Sequence, residues 1–243
     1  MRLNADYHTH TIYSHGKGSI RENIEVAITK GLERVAISDH GPACYGFGVE
    51  DAASFLEIKR EVDKYDRLYP EIKVLTGVEA NVISLDGRLD LPRFILEELD
   101  VVLVGLHLPI KPASWQDGVG IIFNNVIIDK LGLKSTEIRE KNTDALINAL
   151  HNYKIDIITH PGYRINIDTR RLAREAAKTD TVLEINASHG YLSEEFVKVA
   201  ATENVKFSLG SDAHKPVDVG EVDSALQVAK NSGLIIEDIV NVV

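Results

Sequence analysis

The sequence contains one cysteine, few aromatic residues and no long hydrophobic run, and each of these scarcities excludes a class of protein. The single cysteine, Cys44, cannot form an intrachain disulfide, which is typical of proteins kept in a reducing compartment. No stretch approaches the roughly 18 consecutive apolar residues of a membrane-spanning helix. The N-terminal residues also lack the basic and then apolar pattern of an export signal. We therefore expect a cytoplasmic protein without membrane attachment.

Positive charge is scarce as well. The chain has 27 lysine and arginine residues against 37 aspartate and glutamate residues, so its formal net charge at pH 7 is -10. A broad nucleic-acid-binding surface needs clustered lysine and arginine, and a groove for single strands also needs aromatic side chains. Aromatic residues make up only 6% of this chain. The composition therefore argues against a nucleic-acid-binding surface.

Short apolar strands alternate with amphipathic helices along the 243 residues, and no linker rich in proline, glycine or serine divides them. The first strand begins at Asp6, and further strands are predicted at about 33–38, 74–78, 101–105, 155–159, 182–185 and 205–209. Helices are predicted at about 19–31, from Asp51 to Pro70, and at about 135–151, 168–178 and 193–203. Strands separated by helices form parallel sheets. We predict a single domain over residues 1–243.

Closed into a ring, these units form a distorted (β/α)7 barrel, and an open doubly wound sheet is the alternative. Side chains that can bind metal follow the C-terminal ends of strands one, two, three, four, five and seven. An open sheet collects its ligands near one switch point, whereas a barrel lets nearly every strand contribute to one mouth. This distribution favours the barrel.

Histidines carry the functional signal. His8 and His10 stand at positions i and i+2, which point to the same side of a strand, and Asp212 and His214 repeat this spacing near the other end. Seven of the nine histidines fall at or just after a strand end. With two carboxylates they make nine candidate metal ligands: His8, His10, His15, His40, Glu79, His107, His160, Asp212 and His214. At about three protein ligands per ion, these suit a cluster of about three divalent ions.

Other polar residues near strand ends have weaker assignments. Asn186 ends the sixth strand and is a candidate residue of the catalytic site, and His189 follows it closely enough to reach the rim. Asp39 is a candidate carboxylate behind His40, with a hydrogen bond at the strand end as an equal alternative. His151 lies in the last turn of a helix, where an interaction with the helix dipole accounts for it.

Short motifs at the strand ends extend over nearly the whole chain. They are His8-x-His10 with His15, Ser38 to Pro42, Gly77 to Asn81, Gly105 to His107, Thr159 to Gly162, Glu184 to Asn186 and Gly210 to His214. In this combination the chain resembles the PHP (polymerase and histidinol phosphatase) family, most closely its stand-alone YcdX-like metal-dependent phosphatases. The resemblance implies a distorted seven-stranded TIM-like barrel.

The resemblance also implies three metal positions. One is held by His8, His10, Glu79 and Asp212, a second by His15, His40 and His214, and a third by Glu79, His107 and His160. Glu79 would then bridge two positions. Glu79 and Asp212, supported by Asp39 and Asn186, are the candidate catalytic residues. The expected ions are zinc, with manganese or iron as alternatives.

Clustered divalent ions acidify water and neutralise phosphoryl oxygens, which is the chemistry of phosphate-ester hydrolysis. We therefore predict a phosphoric monoester hydrolase that acts on a small phosphorylated substrate, with histidinol phosphate as one candidate. The alternatives are a phosphodiesterase or exonuclease acting on nucleotides, and a silent metal-binding regulatory module. Arg164 and Lys17 could bind the substrate phosphate, although a solvated surface position is the favoured interpretation of both. A homo-oligomer is compatible with the sequence.

A long segment at about 108–134 follows the fourth strand without a clear periodic pattern. It starts directly after His107, so it lies at the expected mouth of the site. Apolar residues such as Trp115, Ile121 and Phe123 argue against disorder. We predict a lid or specificity loop, and a short irregular helix packed on the barrel or at a subunit contact is an equal alternative.

Overall fold

Seven parallel strands form one sheet in the computed structural model of the protein, which describes residues 1–128, 131 and 136–243. Each strand pairs with the next one along the chain, so the spatial order is β1 to β7. This order confirms the predicted barrel, because a doubly wound sheet reverses its strand order at a switch point. The strands are β1 Ala5–Asp6, β2 Arg34–Ile37, β3 Lys73–Asn81, β4 Val101–Gly105, β5 Ile157–Ile158, β6 Val182–Asn186 and β7 Phe207–Gly210.

The first and last strands meet through the residues that follow them. Thr9 forms a parallel bridge with Ala213, and the His10 amide donates to the Ala213 carbonyl at 2.8 Å. The Ala213 amide donates in turn to the His8 carbonyl at 3.2 Å. Because the barrel closes here, the two histidines near the start of the chain lie beside Asp212 near its end.

Helices flank the strands. Helix α1, Ile20–Thr29, begins with the predicted capping box, in which the side chains of Ser19 and Glu22 each accept a hydrogen bond from the other residue's amide. The other α-helices are α2 Ser54–Leu68, α3 Arg93–Leu96, α4 Trp115–Asp117, α5 Thr136–Asn152, α6 Thr169–Lys178, α7 Glu194–Ala201 and α8 Asp223–Asn231. The predicted first residue of α5, Ser135, lies outside the described residues. In the described part of the chain, every helix is too short or too polar to cross a membrane.

The core lies between the sheet and the apolar faces of the helices. Helix α2 contributes Phe55, Ile58 and Val62, which share one face of the helix and are buried. Strand β4 has the sequence Val-Val-Leu-Val-Gly and is buried throughout, as expected for a parallel strand covered on both faces. This packing gives the polar residues at the strand ends a rigid support.

Two strand assignments made from the sequence are wrong in detail. Strand β1 covers only Ala5–Asp6, so His8 and His10 follow it instead of lying within it. Their ring centroids are nevertheless 5.0 Å apart, because the bridge at Thr9 keeps this stretch beside the last strand. Glu79 lies inside β3 and not beyond its end, because this strand pairs with β2 over its first half and with β4 over its second.

The segment predicted to be irregular is largely helical. Helix α4 is followed by a π-helix over Gly118–Ile128. Ile121 is fully buried, and the side chains of Asn125 and Asn142 exchange hydrogen bonds of 3.0 and 2.9 Å, which anchor the π-helix on α5. These contacts favour the packed-helix alternative. Residues 129–130 and 132–135 lie outside the described residues, and the role as a lid stays a prediction.

Candidate metal centre

The predicted ligand side chains gather at one end of the barrel, where the strands end. His40 follows β2, His107 follows β4 and His160 follows β5. The centroid of the His10 ring lies 4.4 Å from that of His40 and 4.3 Å from that of His214. The rings of His107 and His160 are 4.9 Å apart. Strands from across the chain thus contribute to one cluster, as in other barrels that build a site on their C-terminal face.

Glu79 lies in the middle of this cluster and is fully buried. Its Oε1 is 3.0 Å from Nε2 of His160 and 3.1 Å from Nε2 of His107. Its Oε2 is 2.8 Å from Nδ1 of His40 and 3.3 Å from Nε2 of His8. Burial by itself would raise the pKa of Glu79, but the surrounding imidazoles outweigh it and hold the pKa well below its usual range. The cluster therefore has two halves, His107 with His160 and His8 with His40, which share the negative charge of Glu79.

Ligand atoms within 4.8 Å of one another form several groups in this cluster. Three of the groups are His8 with His10 and Glu79, His10 with His40 and His214, and Glu79 with His107 and His160. The last group has the same members as a position implied by the family resemblance. The first contains three of the four residues expected at another position. In the second, His10 stands where the resemblance places His15.

His15 lies at the edge of the cluster. Its ring is 4.2 Å from the ring of His214, but its nitrogens join none of the groups found among the described residues. Burial, followed by the nearby His214, lowers the pKa of His15 to about 4. His15 is therefore neutral near pH 7, which is the form that a metal ligand requires.

Several buried polar atoms of the cluster have no hydrogen-bond partner in the described part of the chain. They are His8 Nε2, His10 Nδ1, His40 Nδ1, Glu79 Oε2 and His214 Nε2. His40 Nδ1 and Glu79 Oε2 are close, but they lack the geometry of a hydrogen bond. An unpaired buried polar atom costs roughly 1–3 kcal/mol, and a coordinated cation would remove this cost. Imidazole nitrogens and carboxylate oxygens bind zinc and similar divalent ions, so the residues present fit such ions.

The protonation of the imidazoles agrees with this fit. Burial lowers the pKa of His10 and of His40, which keeps both rings neutral. At His8, burial acts in the same direction, but the charges of Glu184, Glu79 and Asp212 outweigh it and raise the pKa well above its usual range. His8 therefore tends to carry a proton when no metal is bound. A bound cation would take the place of this proton, since the positive charge of either one stabilises the same carboxylates.

Glu184 is a site residue to which the sequence analysis assigned no role. Its Oε1 lies 2.6 Å from Nδ1 of His8, and its Oε2 accepts a hydrogen bond from the His160 amide at 2.8 Å. Gly210 leaves room for this carboxylate, because a Cβ at that position would overlap Oε1. Pairing at Nδ1 directs the other ring nitrogen of His8 into the cluster. Glu184 could have been found from the sequence, because a glutamate is unusual in an apolar strand. It also stands two residues before Asn186, and therefore on the same face of the strand.

Asp212 is held on both of its carboxylate oxygens. Oδ1 lies 3.2 Å from Nε2 of His10, and Oδ2 accepts a hydrogen bond from Asn186 Nδ2 at 3.2 Å. Nε2 of His189 also lies 3.2 Å from Oδ2. The backbone φ of Asp212 is +53°, a left-handed conformation that aspartate and asparagine adopt more readily than most residues. Asn186 is buried behind this carboxylate, so it positions Asp212.

Asp39 stabilises the turn that follows the first strand. Its carboxylate accepts hydrogen bonds from the Thr11 amide at 2.7 Å, the Thr11 hydroxyl at 2.6 Å and the Ser14 hydroxyl. Burial raises the pKa of Asp39, although these hydrogen bonds oppose the shift. The contacts correspond to the strand-end alternative and hold the turn that carries His15.

His107 is oriented by a partly buried chain of polar side chains. Its Nδ1 lies 2.7 Å from Asn81 Oδ1, and Asn81 Nδ2 donates to Asp90 Oδ2 at 2.8 Å. With Nδ1 engaged in this way, Nε2 of His107 is directed to Glu79. The sequence analysis quoted Asn81 in a motif but did not include Asp90.

A cavity of about 360 Å³ opens onto the cluster. Its wall includes Leu108, Tyr163 and Arg164 beside the ligand side chains. The guanidinium carbon of Arg164 lies 5.0 Å from the centre of the Tyr163 ring. Arg164 is exposed, in line with the favoured surface interpretation, and it places a cation at the mouth of the site. Lys17 is exposed, and its backbone amide donates to the His214 carbonyl at 2.8 Å.

His151 lies apart from the cluster. Its exposed side chain faces helix α6, where Nε2 lies 3.3 Å from Oε2 of Glu175. His151 lies in the last turn of α5, as predicted, and its contact with Glu175 was not part of the sequence-based assignment.

Comparisons with known proteins identify the family of the chain. Residues 6–193 match the family model of the PHP domain. The chain is 36% identical over 250 residues to a probable phosphatase of Thermoanaerobacter sp. (strain X514), with 99% of this chain and 90% of the relative covered. It is 32% identical over 251 residues to a probable phosphatase of Shewanella frigidimarina, with the same coverage of 99% and 90%. The chain belongs to the PHP domain family.

Solved structures share the barrel. Histidinol phosphate phosphatase from Lactococcus lactis, complexed with zinc, L-histidinol and phosphate, superposes with a TM-score of 0.65 at 16% identity, covering 97% of this chain and 95% of that one. A putative histidinol phosphatase from Listeria monocytogenes superposes with a TM-score of 0.59 at 17% identity, covering 89% and 97%. At this level of identity the similarity establishes the fold.

Proposed function

We propose that the protein is a metal-dependent phosphoesterase that hydrolyses small phosphate monoesters with a cluster of about three divalent ions. The observation that carries this proposal is the set of buried imidazole and carboxylate atoms without partners, gathered beside an open cavity. The names of the relatives, probable phosphatases, support the same activity.

When bound, divalent ions supply an acidified water as nucleophile and positive charge for the phosphoryl oxygens. The chain's own residues fix where this chemistry takes place. Glu79 offers one carboxylate oxygen to each half of the cluster. Glu184 orients His8, and Asn186 holds Asp212. Because these contacts are already formed, little reorganisation is needed when a substrate binds.

The substrate is proposed to be a small anion that reaches the ions through the cavity. A volume of about 360 Å³ lies at the small end of the range for pockets that bind small molecules. Arg164 lies on the wall of this cavity and carries a positive charge toward an approaching phosphate. Zinc is the proposed metal, with manganese or iron as alternatives. Imidazole ligands suit zinc and iron better than magnesium or calcium, whereas manganese would depend more on the carboxylates Glu79 and Asp212.

Histidinol phosphate is a second candidate substrate, because the structural neighbours include two histidinol phosphatases. Growth of a histidine auxotroph that expresses this chain would support this substrate. The general proposal is tested with p-nitrophenyl phosphate and bis-p-nitrophenyl phosphate, and we expect hydrolysis of the monoester to be the faster. A faster diester reaction would overturn the monoesterase assignment and favour a phosphodiesterase.

We also propose that the protein works in the cytoplasm and associates with further copies of itself. Cys44 is a free, buried thiol, which suits a reducing compartment. Trp115 and Phe123 expose apolar side chains on the helical segment after His107, and such surfaces often mark subunit contacts. Sedimentation analysis of the purified chain measures the second point directly.

Metal content is the first testable prediction. The purified protein is expected to contain about two to three transition-metal ions per chain. Chelation or mild acid should remove metal and activity together, because protonated imidazoles cannot bind metal. Elemental analysis and monoester hydrolysis, before and after zinc is added back, measure both. A metal-free preparation that stays folded and active would show that the proposal is wrong.

Glu184→Gln is expected to weaken metal binding by about 10- to 100-fold, the usual effect of losing a partner that orients a ligand. Glutamine has nearly the same shape, but its NH2 group cannot accept the hydrogen bonds that the Glu184 oxygens receive. The affinity for zinc, measured by competition with a chelator, should therefore fall while the circular dichroism spectrum is unchanged.

Glu175→Gln is the matched control for this variant. It alters a glutamate that also faces a histidine, His151, but on the protein surface. We expect parental zinc affinity for Glu175→Gln, and equal affinities for both variants would contradict an orienting role for Glu184.

A further inference from the structure

We propose that His189 is an additional metal ligand, which joins His160 and Asp212 in a cation position at the mouth of the cluster. The ligand atoms of these three residues lie within 4.8 Å of one another. His189 is not among the nine ligand residues implied by the family resemblance. The inference rests on the proposed function, since it concerns one of the proposed ions.

The His189 ring is held in one orientation by contacts outside the cluster. It stacks on the ring of Tyr163 with centroids 4.0 Å apart and planes inclined by 11°. Its backbone amide donates to Asn186 Oδ1 at 2.9 Å. Nε2 is thereby placed 3.2 Å from Oδ2 of Asp212. A ligand whose orientation is fixed before the ion arrives loses little conformational entropy on binding.

The position lies between the buried cluster and the cavity. His160 and Asp212 are 5% and 4% exposed, whereas the His189 side chain is 32% exposed. All three residues line the cavity. An ion held there would contact both the deep ligands and a phosphate that enters from the cavity.

His160 connects this cation position to the one described above, because it also belongs to the group formed with Glu79 and His107. In that group its Nε2 lies 3.0 Å from Oε1 of Glu79. A neutral imidazole has only one nitrogen with a free lone pair, so His160 can bind only one ion at a time. The two groups therefore offer ligands to the same ion, from Glu79 and His107 on one side and from His189 and Asp212 on the other. Loss of the His189 side chain should weaken the binding of this ion and leave the other two ions in place.

A hydrogen bond to Asp212 is the competing role for His189, and two substitutions separate the roles. His189→Gln keeps an N–H donor that can reach Asp212, but it removes the imidazole ligand. His189→Ala removes both the donor and the ligand. His151→Gln repeats the glutamine substitution at a histidine of the protein surface and serves as the matched control.

The variants are compared by zinc content after dialysis against a weak chelator and by the visible spectrum of cobalt-loaded protein. Both His189 variants are expected to bind the most weakly held ion at least about 10-fold less tightly, and so to lose about one ion per chain. Their cobalt spectra should change, because water replaces an imidazole. His151→Gln should match the parent in both measurements, and thermal melting should show that all variants are folded.

The outcomes distinguish the inference from the proposed function. Parental zinc content and cobalt spectra in both His189 variants would overturn the ligand assignment while the proposed function stands. Loss of an ion in His189→Ala but not in His189→Gln would assign His189 a hydrogen-bonding role and overturn it equally. A parent protein that binds no metal would overturn the proposed function together with this inference.

Discussion

Glu79→Gln is expected to abolish hydrolysis and to weaken two metal positions at once. Glutamine preserves the shape of the side chain but removes the charge that the imidazoles on both sides share. It also replaces one carboxylate oxygen by an NH2 group, which would face either His160 and His107 or His40 and His8. Metal ions contribute several kcal/mol to such reactions, so a decrease in kcat of about 1000-fold or more is expected.

The test of this prediction combines kinetics with elemental analysis. Glu79→Gln should lose metal as well as activity. His8→Ala should also have a lower kcat, because His8 contacts the same carboxylate. His151→Ala should behave like the parent, since His151 contacts only Glu175 among the acidic residues that the structure describes. If His151→Ala were as inactive as Glu79→Gln, our separation of site residues from other histidines would be wrong.

Asp212→Asn is expected to lower kcat by about 100-fold or more, at the upper end of the effects of disturbing a metal site. Burial by itself would raise the pKa of Asp212, but His8 and His10 outweigh it and hold the pKa well below its usual range, so the residue is charged. Asparagine removes this charge. It also tolerates the left-handed backbone at φ +53°, so the fold should be unaffected. The loss can then be attributed to the site.

Asp180→Asn provides the control for this substitution. Asp180 has a nearly identical φ of +54°, but it is exposed and follows helix α6. Thermal melting should give similar stabilities for both variants, and Asp180→Asn should retain parental kcat. Parental kcat in Asp212→Asn would contradict the role of Asp212 in the site.

Local sequence patterns were sufficient to predict the architecture. The alternation of apolar strands with amphipathic helices predicts a parallel sheet, because parallel strands need a crossover helix between them. The capping box at Ser19 fixed the start of α1 within a residue, since it involves only contacts across one helical turn. Ligand-type residues after several different strands favoured a barrel over an open sheet, and the strand order confirms this.

The segment after His107 shows where local patterns fail. Its sequence from Gly118 to Ile128 is apolar except for the adjacent Asn124 and Asn125, so the polar residues repeat with neither a helical nor a strand period. Its helical form depends on contacts with another element, namely the burial of Ile121 and the pairing of Asn125 with Asn142 on α5. Such contacts join residues far apart in the sequence and leave no local signal.

The sequence by itself determined which residues lie close to the strand ends, although not on which side of each end, and this was enough to propose a cluster of imidazoles and carboxylates. Only the tertiary structure decided how their atoms meet: Glu79 between two groups of imidazoles, Glu184 behind His8, and His189 turned toward Asp212 by the Tyr163 ring. The physical reason is that strand periodicity fixes the face on which a side chain lies. The direction of a ring nitrogen depends instead on its hydrogen-bond partners, which come from distant parts of the chain.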